Sequence, residues 1–211
     1  RPGFEWNFSP ADGGTRVRWR FGEDPEMEFP VPLAGAHQAA NCAMALTLAR
    51  LALGHPLEAA DPFAGFSWPG RFEHIDGLYL DGGHNPPALE RLVQTVFEKK
   101  LAPLPVVAGF MADKDVRLSL RILGRAASGF VCTQVDAGER VLPAHELERI
   151  VRELGFPVLA CEPDLARALA IVPRPALVAG SFYLAGKARS LLRCGVPGPH
   201  THLSDPPASS P

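Results

Sequence analysis

The sequence predicts an α/β fold in which a mainly parallel sheet carries helices on both faces, preceded by a smaller unit of antiparallel strands. From residue 71 onward, short apolar runs alternate with helical segments of about ten residues, the pattern of strand–helix–strand units. Before residue 61, polar and apolar residues alternate with a period of two, which is typical of strands with one buried face. The larger unit is therefore expected to be Rossmann-like.

The smaller unit, residues 1–61, is predicted to contain short strands followed by one helix. The strand pattern runs to about Leu33. Ala39–Leu53 is rich in Ala and Leu at helical spacing and stops at Gly54, a residue type that commonly ends helices. Residues 62–70 contain two prolines and two glycines, and we expect them to form a linker.

The larger unit, residues 71–194, is predicted to contain strands and helices in alternation. The strands are expected at Ile75–Leu80, Leu104–Ala108, Phe130–Thr133, Val158–Ala160 and Ala176–Ala179. The helices are expected at Pro87–Lys99, Val116–Ala127, Ala144–Leu154, Asp164–Ala170 and Phe182–Leu192. Residues 195–211 are rich in Pro and Ser without periodicity and are expected to be a disordered tail.

The composition argues against several classes of protein. The net charge of −2 gives no reason to expect a nucleic-acid partner or a membrane-surface partner. No apolar run approaches the roughly 18 residues of a membrane-spanning helix. The four cysteines are scattered without a C-x-x-C pair, which fits a cytoplasmic protein and argues against a disulfide framework or a zinc site. Because the chain begins at Arg1, without Met or a signal-peptide pattern, we expect it to be part of a longer protein.

Three polar clusters follow predicted strands, and ligands of open parallel sheets collect at the carboxyl ends of strands. The first cluster is Asp81–Pro86, in which two glycines allow a tight turn and a close approach to a ligand. Asn85 alone is explained by a cap on the next helix, but a loop needs only one cap. Since Asp81 and His84 add two more ligand-capable side chains, a functional loop is favoured.

The second and third clusters are balanced between helix capping and ligand binding. Gly109–Asp115 contains Asp113 and Lys114 as candidate ligands, yet an aspartate here also suits an N-cap and a lysine also suits solvent. Ala179–Ser181 joins a strand to a helix, where backbone N–H groups and the Ser181 hydroxyl can bind a carboxylate. Ser181 serves equally well as an ordinary N-cap, so both interpretations stay open.

Two further candidates lie upstream of these loops. His37 and Asn41 are four residues apart and share one face of the predicted helix, where an amide can read the edge of an adenine. The simpler interpretation is a polar helix start. Arg71 follows the linker, where it can bind a phosphate in the cleft between domains or pair with Glu73 on the surface.

Five short segments stand out in order along the chain. They are Leu33–Asn41 (LAGAHQAAN), Pro69–Glu73 (PGRFE), Leu80–Pro86 (LDGGHNP), Gly109–Asp115 (GFMADKD) and Gly180–Gly186 (GSFYLAG). Together, in this order and spacing, they resemble the folylpolyglutamate synthase/dihydrofolate synthase family, relatives of the Mur cell-wall ligases. The resemblance extends from Arg1 to about Arg193. Gly83 departs from the family, which usually has Ala there, and the change is not expected to harm the loop.

The resemblance implies the C-terminal half of an ATP-dependent ligase that adds L-glutamate to tetrahydrofolate through an acyl phosphate. Residues 1–61 then correspond to the end of the central ATP-binding domain, and residues 71–194 to the C-terminal Mur-ligase-type domain. The cofactors implied are ATP and Mg²⁺. The sequence has no G-x-x-x-x-G-K-[ST] loop, so the P-loop and most magnesium ligands are expected upstream of Arg1. The chain alone is expected to be inactive, and the intact enzyme to be a cytoplasmic monomer whose partners are folate, glutamate and ATP.

The resemblance also gives the upstream candidates roles around the nucleotide. Asn41 is expected to contact the adenine, with His37 close to the nucleotide. Arg71 is expected to meet the phosphates, as a binding and catalytic residue, and Asp81 to meet the ribose.

The remaining candidates are implied to act on the substrate. His84 is expected to be catalytic and, with Ser181, to hold the incoming glutamate. Asn85, Asp113 and Lys114 are expected near the cleft as substrate-binding residues, with less defined roles.

Two alternative functions remain at the level of sequence, together with one open point about the acceptor. A Mur-type ligase has the same architecture with a cell-wall precursor as acceptor, and dihydropteroate is a further acceptor that the folate branch leaves open. A non-catalytic module that holds nucleotide or amino acid would carry the same loops. The absence of any motif for a protein nucleophile is compatible with an acyl-phosphate route, which requires orientation and charge neutralisation instead.

Overall fold

The computed structural model describes residues 3–58, 61–134, 138 and 141–194. Within them the chain forms two sheets, each with its own hydrophobic core. The predicted α/β class is confirmed. The predicted tail, residues 195–211, lies outside the described residues, and the division of the chain into domains stays a prediction.

The first sheet is a three-stranded antiparallel meander covered by one helix. Its elements are β1 (Phe4–Ala11), β2 (Gly14–Phe21), β3 (Met27–Val31) and α1 (Ala36–Leu53). Alternate residues of β2 are buried against α1, as period-two patterning predicts. The Trp19 indole N–H donates to the Thr47 hydroxyl at 3.0 Å, so this buried polar group is satisfied. Helix α1 begins at Ala36, three residues before the predicted start.

The second sheet has six strands, of which all but the edge strand β4 are parallel. The strands are β4 (Glu73–Ile75), β5 (Leu78–Leu80), β6 (Leu104–Ala108), β7 (Ala127–Cys132), β8 (Val158–Cys161) and β9 (Ala176–Ala179). Their order across the sheet is β4-β5-β9-β6-β7-β8. Strand β9, last in the chain, therefore lies between β5 and β6.

Five helices cover the second sheet on both faces. They are α2 (Pro86–Glu98), α3 (Val116–Gly124), α4 (Ala144–Glu153), α5 (Leu165–Ile171) and α6 (Phe182–Arg193). Val106 and Ala108 of β6 belong to the core formed with α2, α3 and α4, whereas Val107 belongs to the core formed with α5 and α6. A strand buried on both faces reads as a continuous apolar run, which is why β6 was predictable. None of the helices in the described residues is long and apolar enough to cross a membrane.

Three predicted elements of the larger unit are wrong in detail, and one of them is the strand expected at Phe130–Thr133, which spans Ala127–Cys132. The single strand expected at Ile75–Leu80 is a hairpin, because Asp76 and Gly77 both have positive φ, 50° and 74°, and reverse the chain between β4 and β5. The helix expected at Val116–Ala127 ends at Gly124, because Ala127 already pairs with Leu104 as the first residue of β7.

The strand order brings the three polar clusters together. Because β5, β9 and β6 are neighbours and parallel, their carboxyl ends lie side by side at one edge of the sheet. The Asp81 N–H continues this pairing and donates to the Val178 carbonyl at 3.0 Å. Loops 81–85, 109–115 and 180–181 thus converge on one region.

Two close contacts join the first unit to the second beside this region. Gly35, before α1, has φ 100°, and a Cβ on it would lie 2.4 Å from the Thr95 hydroxyl of α2. The Lys99 ammonium, at the end of α2, donates to the backbone carbonyls of Ala11 and Gly14, the latter at 2.7 Å. The first contact places the start of α1 against α2, and the second holds the β1–β2 turn against the end of α2.

We expect Gly35→Ala to destabilise the protein more than Gly54→Ala. Both glycines have positive φ, which costs an alanine roughly 1–2 kcal/mol, but Gly54 has no neighbour within 4 Å of its added Cβ. Overpacking at Gly35 adds about 1–3 kcal/mol. The measurement is the urea midpoint of each variant. Equal midpoints for the two variants would show that the α1–α2 approach is not close enough to matter.

Candidate functional site

A cavity of about 290 Å³, the hinge cavity, opens between α1 and α2 at the sheet edge. It contains all four residues predicted to surround a nucleotide: His37, Asn41, Arg71 and Asp81. Its volume is at the lower end of the range of about 300–1,000 Å³ for ligand pockets. Its further walls are Ala34, Gln38, Trp68, Phe72, Pro87, Ala88, Arg91, Leu92 and Thr95.

A second cavity of about 210 Å³, the loop cavity, lies over the ends of β5, β6 and β9. Four of the five residues predicted to bind substrate line it: His84, Asp113, Lys114 and Ser181. Its remaining walls are Met111, Gly180, Phe182 and Tyr183. Asn85 lines neither cavity.

A third cavity, of about 560 Å³, lies on the other side of Arg71, between the linker and the β1–β2 turn. Its walls are mixed in character, and they include the aromatic residues Phe66, Trp68, Phe72 and Tyr79. Arg71 is the one predicted site residue in its wall.

The Asp81 carboxylate organises the backbone at the hinge cavity. Its Oδ1 accepts the Gly83 N–H at 2.7 Å, and its Oδ2 accepts the Phe72 N–H at 3.0 Å. Burial raises the Asp81 pKa, while these two N–H groups and the Arg71 charge oppose that rise. Each carboxylate oxygen keeps a second lone pair, so Asp81 can still accept a hydrogen bond from a ligand hydroxyl.

Arg71 does not pair with Glu73, the surface alternative raised by the sequence. Glu73 instead accepts from the Arg189 Nε at 2.9 Å and from the Gly70 N–H at 2.9 Å. Among the described residues, Arg71 has no carboxylate within salt-bridge distance. Its guanidinium lies over the Phe182 ring, 4.7 Å from the centroid. Arg71 therefore retains its hydrogen-bond donors for a ligand.

His37 lies in a positively charged wall. Burial lowers the pKa of His37, and the charges of Arg91 and Arg71 lower it further. Sequence reasoning missed Arg91, which reaches the cavity from α2 on the same face as Ala88 and Thr95. An anion bound here would be attracted to two arginines and would favour the protonated imidazole.

Helix caps explain part of the polar clusters. The Asn85 side chain accepts the Ala88 N–H at 3.0 Å, so Asn85 is the N-cap of α2. Asp115, rather than Asp113, caps α3 by accepting the Leu118 N–H at 3.1 Å. The Ser181 Oγ accepts the Leu184 N–H at 3.0 Å, but its hydroxyl proton remains available to a ligand.

Each of the two cavities at the sheet edge has one pair of interacting polar side chains in its wall. The Asn41 amide donates to the Gln38 side chain at 3.3 Å, which orients both amides at the hinge cavity. Lys114 lies 3.4 Å from Asp113, so the loop cavity has both a cation and an anion in its wall. No group of three or more His, Cys, Asp or Glu side chains within the described ranges could hold a metal ion.

The curated relatives share the name folylpolyglutamate synthase, which those of Haloferax volcanii and Halobacterium salinarum combine with dihydropteroate synthase. The chain is 29% identical over 199 residues to a folylpolyglutamate synthase of Lacticaseibacillus casei. This match covers 86% of the chain but 44% of the relative. The chain thus spans less than half the length of that protein. No protein-family model matches the chain.

Solved structures share the fold over most of the chain. Folylpolyglutamate synthase of Mycobacterium tuberculosis, complexed with ADP and AMPPCP, matches with a TM-score of 0.76 and 26% identity. The match covers 88% of this chain and 47% of that one. A bifunctional folylpolyglutamate synthase/dihydrofolate synthase of Yersinia pestis, complexed with AMPPNP and a Mn ion, matches with a TM-score of 0.68 and 26% identity, over 89% of this chain and 46% of that one.

The chain is an α/β protein with a mainly parallel sheet and cavities at the carboxyl ends of its strands. Among such proteins, the chain is similar to folylpolyglutamate synthases over most of its own length. The resemblance inferred from its five motifs is confirmed, and the partial coverage fits the predicted C-terminal half.

We expect the His37 pKa to lie below the usual value of about 6.5 and to rise in Arg91→Gln, because that change removes a nearby positive charge. Since the His37 pKa is lower in the folded state than in the unfolded state, His37 makes its full contribution to the free energy of unfolding above pH ~6.5. That contribution is lost as the pH falls through the pKa of the folded state. The measurement is an NMR titration of the His37 ring.

Arg121→Gln is the matched control for this titration, since Arg121 is an exposed arginine on α3 that lines none of the three cavities. It should leave the His37 titration unchanged. A His37 pKa at or above 6.5 in the unchanged protein would contradict the positively charged wall.

Proposed function

We propose that the chain is the C-terminal portion of an ATP-dependent ligase that adds L-glutamate to tetrahydrofolate. The observation that carries the proposal is the convergence of four predicted nucleotide-binding residues on the hinge cavity, directly beside the loop cavity with His84 and Ser181. The names and bound nucleotides of the relatives support it. The name of the Yersinia pestis relative adds dihydrofolate synthase, so dihydropteroate is kept as a second acceptor in this proposal.

In this proposal the hinge cavity holds ATP. Asn41, oriented by Gln38, reads the adenine edge, and Asp81 accepts from the ribose. Arg71 and Arg91 attract the phosphates, since neither arginine has a carboxylate partner among the described residues. The cavity has no P-loop and the described residues have no metal cluster, so the triphosphate end and Mg²⁺ belong to the part of the enzyme that the relatives have in addition.

The loop cavity then holds the incoming glutamate. Lys114 and the N-terminal N–H groups of α6, at Ser181, suit a carboxylate, because both present positive charge or donors. Asp113 suits the ammonium of the amino acid. His84, whose Nδ1 lies 3.2 Å from the Gly82 carbonyl, presents its ring to the same cavity.

The chemistry proposed is a two-step ligation. The acceptor carboxylate attacks the γ-phosphorus of ATP, which forms an acyl phosphate and releases ADP. The neutral amine of glutamate then attacks the acyl carbon, the carbon–oxygen bond to phosphate breaks, and phosphate leaves as the amide forms. The role of this chain is to orient the two substrates, neutralise charge and exclude water from the acyl phosphate.

Helix α1 indicates that the proposed enzyme needs its other half. One side of α1 packs on the first sheet, but Met44, Leu48 and Leu51 on the rest of its surface are 50%, 60% and 57% exposed. A helix that is apolar all round is typical of a protein interior. We therefore propose that further protein covers this face in the active enzyme and that the chain alone does not ligate.

The proposal is tested by ADP release with tetrahydrofolate, glutamate, ATP and Mg²⁺, comparing the chain with the longest protein that its coding region encodes. We expect ADP release that requires both folate and glutamate from the longer protein, and none from the chain. Release with a cell-wall precursor instead of folate would move the assignment to a Mur-type ligase. Nucleotide binding without ADP release in either protein would instead support the non-catalytic binding module.

In the active protein we expect His84→Ala to lower kcat/KM for glutamate by about 10- to 150-fold. A hydrogen bond to a charged group contributes roughly 1.5–3 kcal/mol, and each ~1.4 kcal/mol is a factor of ten. His145→Ala is the matched control, because His145 is exposed on α4 and lines none of the three cavities. Equal activity of the two variants would remove His84 from the site.

A further inference from the structure

The Phe182 ring lies between the two cavities and contacts one predicted catalytic residue of each. The Arg71 guanidinium, in the hinge cavity, is 4.7 Å from the ring centroid. The His84 ring, in the loop cavity, has its centroid 5.2 Å from that of Phe182, with an angle of 50° between the planes. Both distances are within the range of attractive cation–π and aromatic pairs.

The backbone of the sheet holds the Phe182 ring in place. Phe182 is the first residue of α6, directly after the N-cap Ser181. Gly180 has φ 124°, and a Cβ there would lie 2.6 Å from the Gly109 carbonyl, so β9 and β6 approach closely at this point. A Cβ on Gly82 would lie 2.1 Å from the Phe182 ring, which therefore rests directly on the Gly82 backbone.

The packing of Phe182 is not that of a core residue. Its side chain is 44% exposed, and it belongs to none of the three hydrophobic cores of the described residues. Arg71 has no carboxylate partner among these residues, and its guanidinium instead contacts the face of the Phe182 ring. The His84 ring also lies within hydrogen-bond distance of the Gly82 carbonyl. Phe182 thus contacts two polar side chains while remaining partly exposed itself, so its position is not explained by burial in a hydrophobic core.

We propose that Phe182 is a positioning residue that sets the placement of Arg71 relative to His84. Its consequence for catalysis rests on the proposed function. An acyl phosphate formed beside Arg71 must lie within reach of an amine held beside His84, and one rigid ring that contacts both side chains fixes that separation. Phe182 itself takes no part in bond making.

The placement is tested first by NMR on the full chain, with no substrate. The ring should shift the signals of the Arg71 Nε–H and of the His84 ring, identified with Arg71→Lys and His84→Asn. In Phe182→Leu, which keeps an apolar side chain, both sets of signals should move together towards those of unrestrained side chains. Phe97→Leu is the matched control, because Phe97 is 48% exposed on α2 and lines none of the three cavities.

Unchanged Arg71 and His84 signals in a folded Phe182→Leu would overturn the proposal. If that variant does not fold, the spectrum of the protein without substitutions still tests the placement of Phe182. Absence of ring-current shifts at Arg71 and His84, relative to free side chains, would overturn the placement equally.

The catalytic consequence is tested in the longer protein by separating kcat from KM. Phe182→Leu should lower kcat by about 2- to 30-fold, the range of a cation–π contact, with smaller changes in KM for ATP and glutamate. Phe182→Tyr, which keeps the ring, should restore kcat, whereas a change in thermal stability alone would indicate a merely structural role. If the unchanged protein releases no ADP, the proposed function fails, while the NMR result still decides the placement.

Discussion

The hydrogen bonds of the Asp81 carboxylate are the interaction on which the candidate site depends. One oxygen accepts from Gly83 in the loop after β5, and the other accepts from Phe72 beyond the linker. A second link joins the same segments, because the Gly82 N–H donates to the Gly70 carbonyl at 2.8 Å. Arg71 lies between these two tethers. Its position over the hinge cavity is therefore determined by backbone contacts at both sides, which keeps the linker against the sheet edge.

The strand order brings these local contacts together with the other loops of the candidate site. Strand β9 is inserted between β5 and β6, so that residues far apart in sequence, at 81–85, 109–115 and 180–182, become neighbours. The Phe182 ring at Gly82 and the Gly109 carbonyl at Gly180 leave space for only a hydrogen at each of these Cα atoms. The larger groups are placed around these glycines, with Arg71 on one side and His84 on the other.

Much of the second sheet was predictable because its strands are apolar on both faces. The bounds of β6 and β9 agree with those expected from the sequence. The hairpin at Asp76 and Gly77 was missed although Asp-Gly is a typical signal for a two-residue hairpin turn, because the apolar residues on both sides were read as one strand. The grouping of His37 with Asn41 followed from helical spacing, and the grouping of the three loops followed from the rule that ligands collect at strand ends.

The contributions of Arg91 and Phe182 could not be derived in the same way. Arg91 lies in a segment whose pattern is that of an ordinary amphipathic helix, and only the approach of α1 to α2 brings it beside His37. Phe182 reads as the apolar start of a helix, and its contacts arise from the strand order. The capping roles of Asn85 and Ser181 were both foreseen, yet only the structure separates Asp115 as a cap from Asp113 as a cavity residue.

The most direct test of this account is a crystal structure, with ADP, of the longest protein that the coding region encodes. The account predicts a base within hydrogen-bond distance of Asn41, a ribose at Asp81 and phosphates directed to Arg71. A nucleotide bound outside the hinge cavity, with these three side chains free of it, would contradict the central claim that the converging loops and α1 form a nucleotide site.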